Sequence, residues 1–222
     1  MDDQQRLTAE QLVEAGLDDW RPILGRLKAR FRTGDPATGY ALANAIGQAA
    51  TAAGHYPDLT LTGTAVVVAL TSPDVPGITG RDVDLARAIS RRAAQLGVTA
   101  DAGGLTQLEL GLDTAASSRL APYYAALFGG EVTNGEPVDP SGQVPTVWWQ
   151  DPTETGGPAL PAQPFEQRWH FDVWVSHDEG ERRLQAVLAA GGRLVSDAAA
   201  PSYWVVEDAD GNRSCICTPA GR

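Results

Sequence analysis

Two stretches in the second half of the chain share one layout: "ELGLDTAASSRLAPYYAALFGG" from Glu109 and "HFDVWVSHDEGERRLQAVLAAGG" from His170. Each reads as a strand, a polar turn, a helix and a Gly-Gly stop. Each then leads to an aromatic strand, "VPTVWWQD" after the first and "SYWVVEDADGN" after the second. A duplicated unit of this kind cannot bury its apolar face alone, so the copies are expected to pair about a pseudo-two-fold and leave a cleft. "DPTETGGPALPAQP" (151–164) is the Pro/Gly-rich connection between them. Ser176 and Glu179 have capping-box spacing, which predicts a helix start around His177 and gives that histidine a structural place.

The first half carries no such repeat. "TAEQLVEAGL" opens with the capping box Thr8-x-x-Gln11, and Trp20 follows as a core anchor. "GRLKARFR" alternates from Leu27 to Phe31 and predicts a strand. Asp35 and Pro36 form an N-cap and N1 pair for the helix "ATGYALANAIGQAATAAG". "TAVVVALT" (64–71) is a β-branched strand, and "TGRDVDLARAISRRAAQLG" (79–97) is an amphipathic helix. The mixture predicts an α+β fold in two domains, 1–98 and 105–222, with "VTADAGG" (98–104) as a short linker.

The totals exclude some partners. Seventeen Lys and Arg against 28 Asp and Glu give a net charge of −11, which repels phosphate backbones and argues against nucleic-acid binding. No apolar run approaches the ~18 residues of a membrane span, and the N-terminus "MDDQQRLTAEQL" has no signal-peptide pattern, so the expected location is cytoplasmic, away from membranes. Cys215 and Cys217, two apart on a strand, point to one face and are read as buried thiols in a reducing compartment.

"HYPDLTLTGTAVVVALTSPDVPGITGRDVDLA" (55–86) resembles the pterin-4a-carbinolamine dehydratase family, with a match over roughly 7–97 and no gap across the motif. That resemblance implies a four-stranded antiparallel sheet with helices on one face, a homo-oligomer, and dehydration of a 4a-hydroxytetrahydropterin with no cofactor. The family reads His-His-Pro-Asp, a strand ending in Thr-His-Asp, then a Gly-Leu-Thr-x-x-Asp helix start. His55 and Pro57 fall on the first histidine and the proline, and Arg81 with Asp82 on the polar pair opening the last helix. Tyr56 replaces the second histidine and Pro73 the strand-end one. Imidazole suits acid–base work because its unperturbed pKa lies near ~6.5, whereas tyrosine lies near ~10 and proline has no ionisable group. The dehydration is therefore expected to be lost, reduced or altered. His55 can also be read as a turn residue, and Asp82 as the N3 member of a Thr79 cap.

The second half resembles the glyoxalase/bleomycin-resistance superfamily, clearest in "RWHFDVWV" and "WVVEDADGNRSCIC". The resemblance implies paired βαβββ modules around one cleft. Its metal enzymes place His, Gln or Glu on the first and last strands of each copy. Those positions fall on Glu109, His170 and Cys215, with "VWWQD" as the fourth place. A thiol stands where glutamate is usual, so the cleft is expected to bind a pterin or other planar metabolite without a tightly held metal. Trp148, Trp149, Trp204 and His170 are the expected ligand contacts. By strand alternation only one of Trp148 and Trp149 can face the cleft. Three functions remain open: a dehydratase with an extension, a metal-free small-molecule binding or resistance protein, and an assembly module whose first half supplies oligomer contacts.

Overall fold

The computed structural model describes residues 5–128, 130–140, 142, 145–151, 161, 166–207 and 211–221. Most of the connection read at 151–164 and part of the Asp-Gly turn near 208–210 lie outside the described residues. The chain divides into two units between Thr106 and Gln107.

The first unit contains α1 (Ala9–Glu14), β1 (Arg21–Ile23), β2 (Arg26–Arg32), α2 (Pro36–Ala53), β3 (Asp58–Leu61), β4 (Ala65–Leu70), α3 (Gly80–Gln95) and β5 (Thr99–Ala100). The antiparallel sheet runs β1-β2-β4-β3. Both predicted caps of the early helices form: Thr8 and Gln11 close their box, and Asp35 accepts from the Thr38 amide with Pro36 at the helix start. Leu27, Ala29 and Phe31 share one face of β2 and stand beside Leu70, Val68 and Val66 of β4. That face packs on Leu42 and Ile46 of α2 and on Val83, Ala86 and Ile89 of α3. Full burial of each large member of this set contributes about 1.5–3 kcal/mol. Trp20 closes one end, 6.1 Å edge-on from Phe31, with its indole N–H on Ser90 Oγ at 3.0 Å.

The linker expectation at 98–104 is corrected here. Val98 is buried, and Thr99 and Ala100 pair with Arg32 and Phe31, adding a short fifth strand to the predicted four. Asp101 takes an ion pair from Arg30. Two residues are too few to display alternation, so the sequence carried no strand signal there.

The second unit contains β6 (Gln107–Asp113), α4 (Ser117–Phe128), β7 (Glu131–Thr133), β8 (Glu136–Val138), β9 (Thr146–Gln150), β10 (Trp169–Trp174), α5 (Gly180–Ala189), β11 (Arg193–Ser196), β12 (Tyr203–Glu207) and β13 (Arg213–Cys217). Both copies are βαβββ in order. Their first strands join edge to edge, β6 antiparallel to β10, and each first strand pairs in parallel with the last strand of its own copy. The six-stranded sheet runs β11-β12-β13-β10-β6-β9, while β7 and β8 form a separate hairpin. Helix α5 covers one face through Leu184, packed with Trp204, Val206 and Ile216. Tyr124 of α4 meets Trp149 and Trp169 on that same face. The expected Ser176-x-x-Glu179 capping box does not form. Glu179 is itself the cap residue and binds Arg182, while the buried Ser176 hydroxyl has no partner. No helix among the described residues is long and apolar enough to cross a membrane.

Candidate functional sites

In the first unit, Gly54 ends α2 in the left-handed conformation (φ 62°) that glycine adopts without strain, and turns the chain so that His55 points inward. The His55 amide returns to the carbonyl of Ala50 at 3.2 Å, which fixes the ring's departure point. His55 Nε2 then lies 2.7 Å from Asp82 Oδ1, with His55 8% exposed and Asp82 fully buried. The other carboxylate oxygen of Asp82 accepts from Ser72 Oγ at 2.8 Å, from the Thr79 amide at 2.8 Å and from Thr79 Oγ1 at 3.3 Å. With that oxygen filled by local donors, Oδ1 is the one aimed at the imidazole. Acceptance there assigns the ring hydrogen to Nε2 and leaves Nδ1 as the ring's proton acceptor.

The other residues matched to the family motif part company. Tyr56 is 68% exposed, and Pro57 is half-buried beside it. Arg81 reaches Asp74 at 2.6 Å. Pro73 is exposed at the turn closed by the Ser72–Gly77 bridge. His55 and Asp82 are thus brought together, while Arg81 turns to Asp74 and Tyr56 to the surface. The Thr79-x-x-Asp82 box was visible as a cap. Ser72 was not, because its hydroxyl reaches Asp82 only through that bridged turn.

In the second unit, strand register decides which side chains meet. His170 faces Gly111 across β10 and β6, Asp172 faces Glu109, and Asp172 also faces Cys215 across β10 and β13. His170, Asp172, Glu109 and Cys215 therefore share the face opposite α4 and α5. Gly111 makes room: a Cβ there would lie only 2.4 Å from Cε1 and 2.5 Å from Nε2 of the His170 ring. Trp148, the β9 neighbour of Gly111, stands edge-on to His170 at 5.8 Å. Trp149 faces the other way, with its indole N–H on the Gly135 carbonyl at 2.8 Å. The alternation separated this pair, but Trp204 is placed differently from the ligand contact expected of it. It packs in the α5 core, and Gly180 sits too close to its ring to carry a Cβ.

Glu109 is occupied by the Trp174 indole N–H at 2.8 Å. His170 has Asp113 Oδ1 at 4.0 Å on its Nδ1 side and Asp172 Oδ1 at 3.6 Å on its Nε2 side, both beyond hydrogen-bond length. His170 Nδ1, Asp113 Oδ1, Gln150 Oε1 and Trp148 Nε1 are all buried without a hydrogen-bond partner among the described residues. Burial pushes the Asp113 carboxyl above its ordinary range, against the pull of His170 and Arg168. His170, Asp172 and Cys215 offer a nitrogen, an oxygen and a sulfur within 4.8 Å of one another, all from buried residues. That donor set suits a borderline-soft divalent ion, so the residues fit a metal chemically. Gln150 lies in the "VWWQD" place the sequence offered, whereas Asp172, Asp113 and Gly111 were missed in the sequence. The available signals were the His170-x-Asp172 alternation and a glycine inside the strand "ELGLD".

Comparisons with known proteins agree with this division. Residues 109–217 match the family described as a glyoxalase-like domain, and residues 4–92 match the family described as pterin 4 alpha carbinolamine dehydratase. A pterin-4-alpha-carbinolamine dehydratase of Thermosynechococcus vestitus is 40% identical over 79 residues, covering 36% of this chain and 83% of the relative. One from Nocardia farcinica is 33% identical over 89 residues, covering 39% of this chain and 94% of the relative. A solved transcriptional coactivator/pterin dehydratase from Brucella melitensis aligns at 25% identity and TM-score 0.39, over 40% of this chain and 99% of that one. The chain belongs to the pterin-4a-carbinolamine dehydratase family through its first unit, which is joined to a glyoxalase-like domain.

Proposed function

We propose that the first unit dehydrates a 4a-hydroxytetrahydropterin, or a close variant, with a weakened acid–base apparatus. In that reaction N5 gives up its proton, the C4a–O bond breaks, the departing hydroxyl takes a proton and leaves as water, and an N5=C4a bond forms. The observation that carries the reading is the His55–Asp82 pair at 2.7 Å. Asp82 holds the Nε2 hydrogen, so Nδ1 serves as acceptor for the N5 proton. The family's other two imidazole positions are an exposed Tyr56 and an exposed Pro73, so one ring must do work shared among three. Each positioned acid or base contributes ~10²–10⁴-fold, which sets the scale of the deficit.

The test is the rate of quinonoid dihydropterin formation from a 4a-hydroxytetrahydropterin by the full chain. Turnover is expected below about 1 s⁻¹, the lower end of ordinary enzymatic rates. Tyr56→His with Pro73→His should raise it, and His55→Ala should abolish what remains. An unmodified chain turning over at several per second, or an unchanged rate in His55→Ala, would overturn the proposal.

A specific observation favours a second reading for the second unit. Asp113, Gln150 and Trp148 present two acceptors and one donor, none with a partner, beside His170 on one sheet face. Buried polar atoms left in this state cost about 1–3 kcal/mol each, which a polar ligand or ordered water would recover. This supports a small-molecule-binding role for that unit.

A further inference from the structure

We infer that the second unit carries a binding site on the helix side of its sheet, beside the end of α5, for an uncharged planar aromatic molecule. The site is separate from the face that holds His170, Asp113 and Gln150, and the inference stands whether or not that face takes a ligand. Strand β10 points to it. Trp169, Phe171 and Val173 alternate with His170 and Asp172, so they share the face on which α4 and α5 lie. Val173 packs into the α5 core, yet Phe171 remains 53% exposed and Trp169 39% exposed. β10 is an inner strand, flanked by β13 and β6. Two adjoining aromatic side chains left open there form an apolar patch of the kind that marks a binding surface.

Beside these rings lies an open-sided cavity of about 710 Å³, within the ~300–1,000 Å³ usual for small-molecule sites. It follows from the way α5 ends. The helix stops at Ala189, and the next three residues are Ala190, Gly191 and Gly192, so the turn has no side chain larger than a methyl to lay over Phe171. Val187 of α5 and Val206 of β12 complete the apolar lining. Side chains two apart on a strand stand ~6.4–6.8 Å apart, close to the ~7 Å that one flat ring in van der Waals contact on both faces requires. Trp169 and Phe171 therefore bracket the place of one aromatic ring, and Tyr124 backs Trp169 edge-on at 5.7 Å.

The polar groups of the lining set the charge and orientation of the occupant. Arg213 and Glu207, its charged members among the described residues, pair with each other at 3.4 Å, so the wall carries no net charge. A charged ligand would give up its hydration against this lining with no counter-charge to replace it. Ser214 stands opposite Val206 and one residue before Cys215, the partner of Asp172, which sets it on the cavity floor beside Phe171. It is half-buried, and its hydroxyl has no hydrogen-bond partner among the described residues. An uncharged flat ring system with one hydroxyl or carbonyl group meets both conditions, stacking on the aromatic pair and bonding to Ser214.

2-Naphthol is the probe, titrated calorimetrically into the full chain at pH 7, where its phenol-like hydroxyl is neutral. Saturation at about one equivalent is expected, with a dissociation constant below about 1 mM. Phe171→Ala should weaken binding about tenfold through lost stacking. Ser214→Ala should weaken it about 2–10-fold through the lost hydrogen bond, and Ser214→Leu, which fills the floor, should abolish it. Naphthalene-2-sulfonate, the same rings bearing a charge, should bind at least about tenfold more weakly than 2-naphthol. Trp148→Phe, on the opposite face of the sheet, should leave the affinity unchanged. Absence of saturable binding, unchanged affinity in Phe171→Ala, or loss of binding in a folded Trp148→Phe variant would overturn the site. Sulfonate binding as tight as that of 2-naphthol would overturn the uncharged class.

Discussion

The two units treat the buried polar groups of their candidate sites in opposite ways. In the first, the fully buried Asp82 is surrounded by His55, Ser72 and Thr79, and no Asp82 oxygen is left without a donor. In the second, His170, Asp113, Gln150 and Trp148 stand on one face with polar atoms that have no partner among the described residues. A satisfied network is complete as it stands and resists change. An unsatisfied one is held in place by its surroundings and gains from something added. The first unit therefore keeps the frame of an acid–base site after losing most of its imidazoles, while the second keeps a set of donors and acceptors with room in their hydrogen bonding.

The largest expected effect comes from breaking the satisfied network. Asp82→Ala strands the Thr79 amide in a buried place, leaves the Ser72 hydroxyl with Thr79 Oγ1 alone and leaves His55 without its acceptor. At about 1–3 kcal/mol for each stranded group, the first unit should lose on the order of 3 kcal/mol. It also loses the N3 half of the α3 capping box. Amide hydrogen exchange resolves the two units separately, so protection should fall across α2, β4 and α3 while β10 and β13 stay unchanged. A loss under 1 kcal/mol would mean that water fills the gap, and the contrast between the units would weaken.

Much of this was legible before any fold was known, for local reasons. The β2 alternation, the β-branched run of β4, the Asp35–Pro36 start of α2 and the Thr79-x-x-Asp82 box are complete within a few residues, so the chain states them directly. The pairing of two copies was legible because the repeat recurs at nearly equal spacing, while their βαβββ order came from the family resemblance. What stayed hidden depends on register between distant strands. Nothing near Asp172 announces that Cys215 lies beside it, and nothing near Trp204 fixes which phase of the alternation faces α5. Ser176-x-x-Glu179 misled for the opposite reason: the spacing is local, but the helix begins after Glu179, which spends its carboxylate on Arg182 and Arg183.

An intermediate effect tests whether the second unit's face is as tightly built as its missing partners suggest. Gly111 lies in the middle of β6 under the His170 ring, where an added methyl has no free volume. Gly111→Ala must turn the ring out or push β6 from β10, at about 1–3 kcal/mol for overpacking. Exchange protection should drop along β6 and β10, and the histidine's ring signals should shift as its edge-on contact with Trp148 is lost. A neutral substitution would show that His170 has slack, and the lack of partners around it would then reflect a loose ring.

The smallest expected effect probes a desolvated charge inside the first unit. Lys28 lies on the outer face of β2 between Arg26 and Arg30, and its amine is lowered to about 8, first by burial and then by Arg26, with Asp58 acting the other way. Because the folded value lies below the ordinary 10.5, the unfolded chain binds more protons between those two values. Stability must therefore rise as pH climbs from about 8 toward the unfolded lysine range, and the penalty is fully present below about 8. Lys28→Met removes the desolvated charge while keeping the apolar stem, so the variant should exceed the parent chain at pH 7 by about 1 kcal/mol, allowing for partial solvent screening. That advantage should shrink toward zero by roughly pH 10.5, where the parent amine is largely neutral in the fold. An advantage independent of pH would assign the gain to packing alone. A destabilised variant would show that the Lys28 ammonium is held by its partners as firmly as Asp82 is by its own.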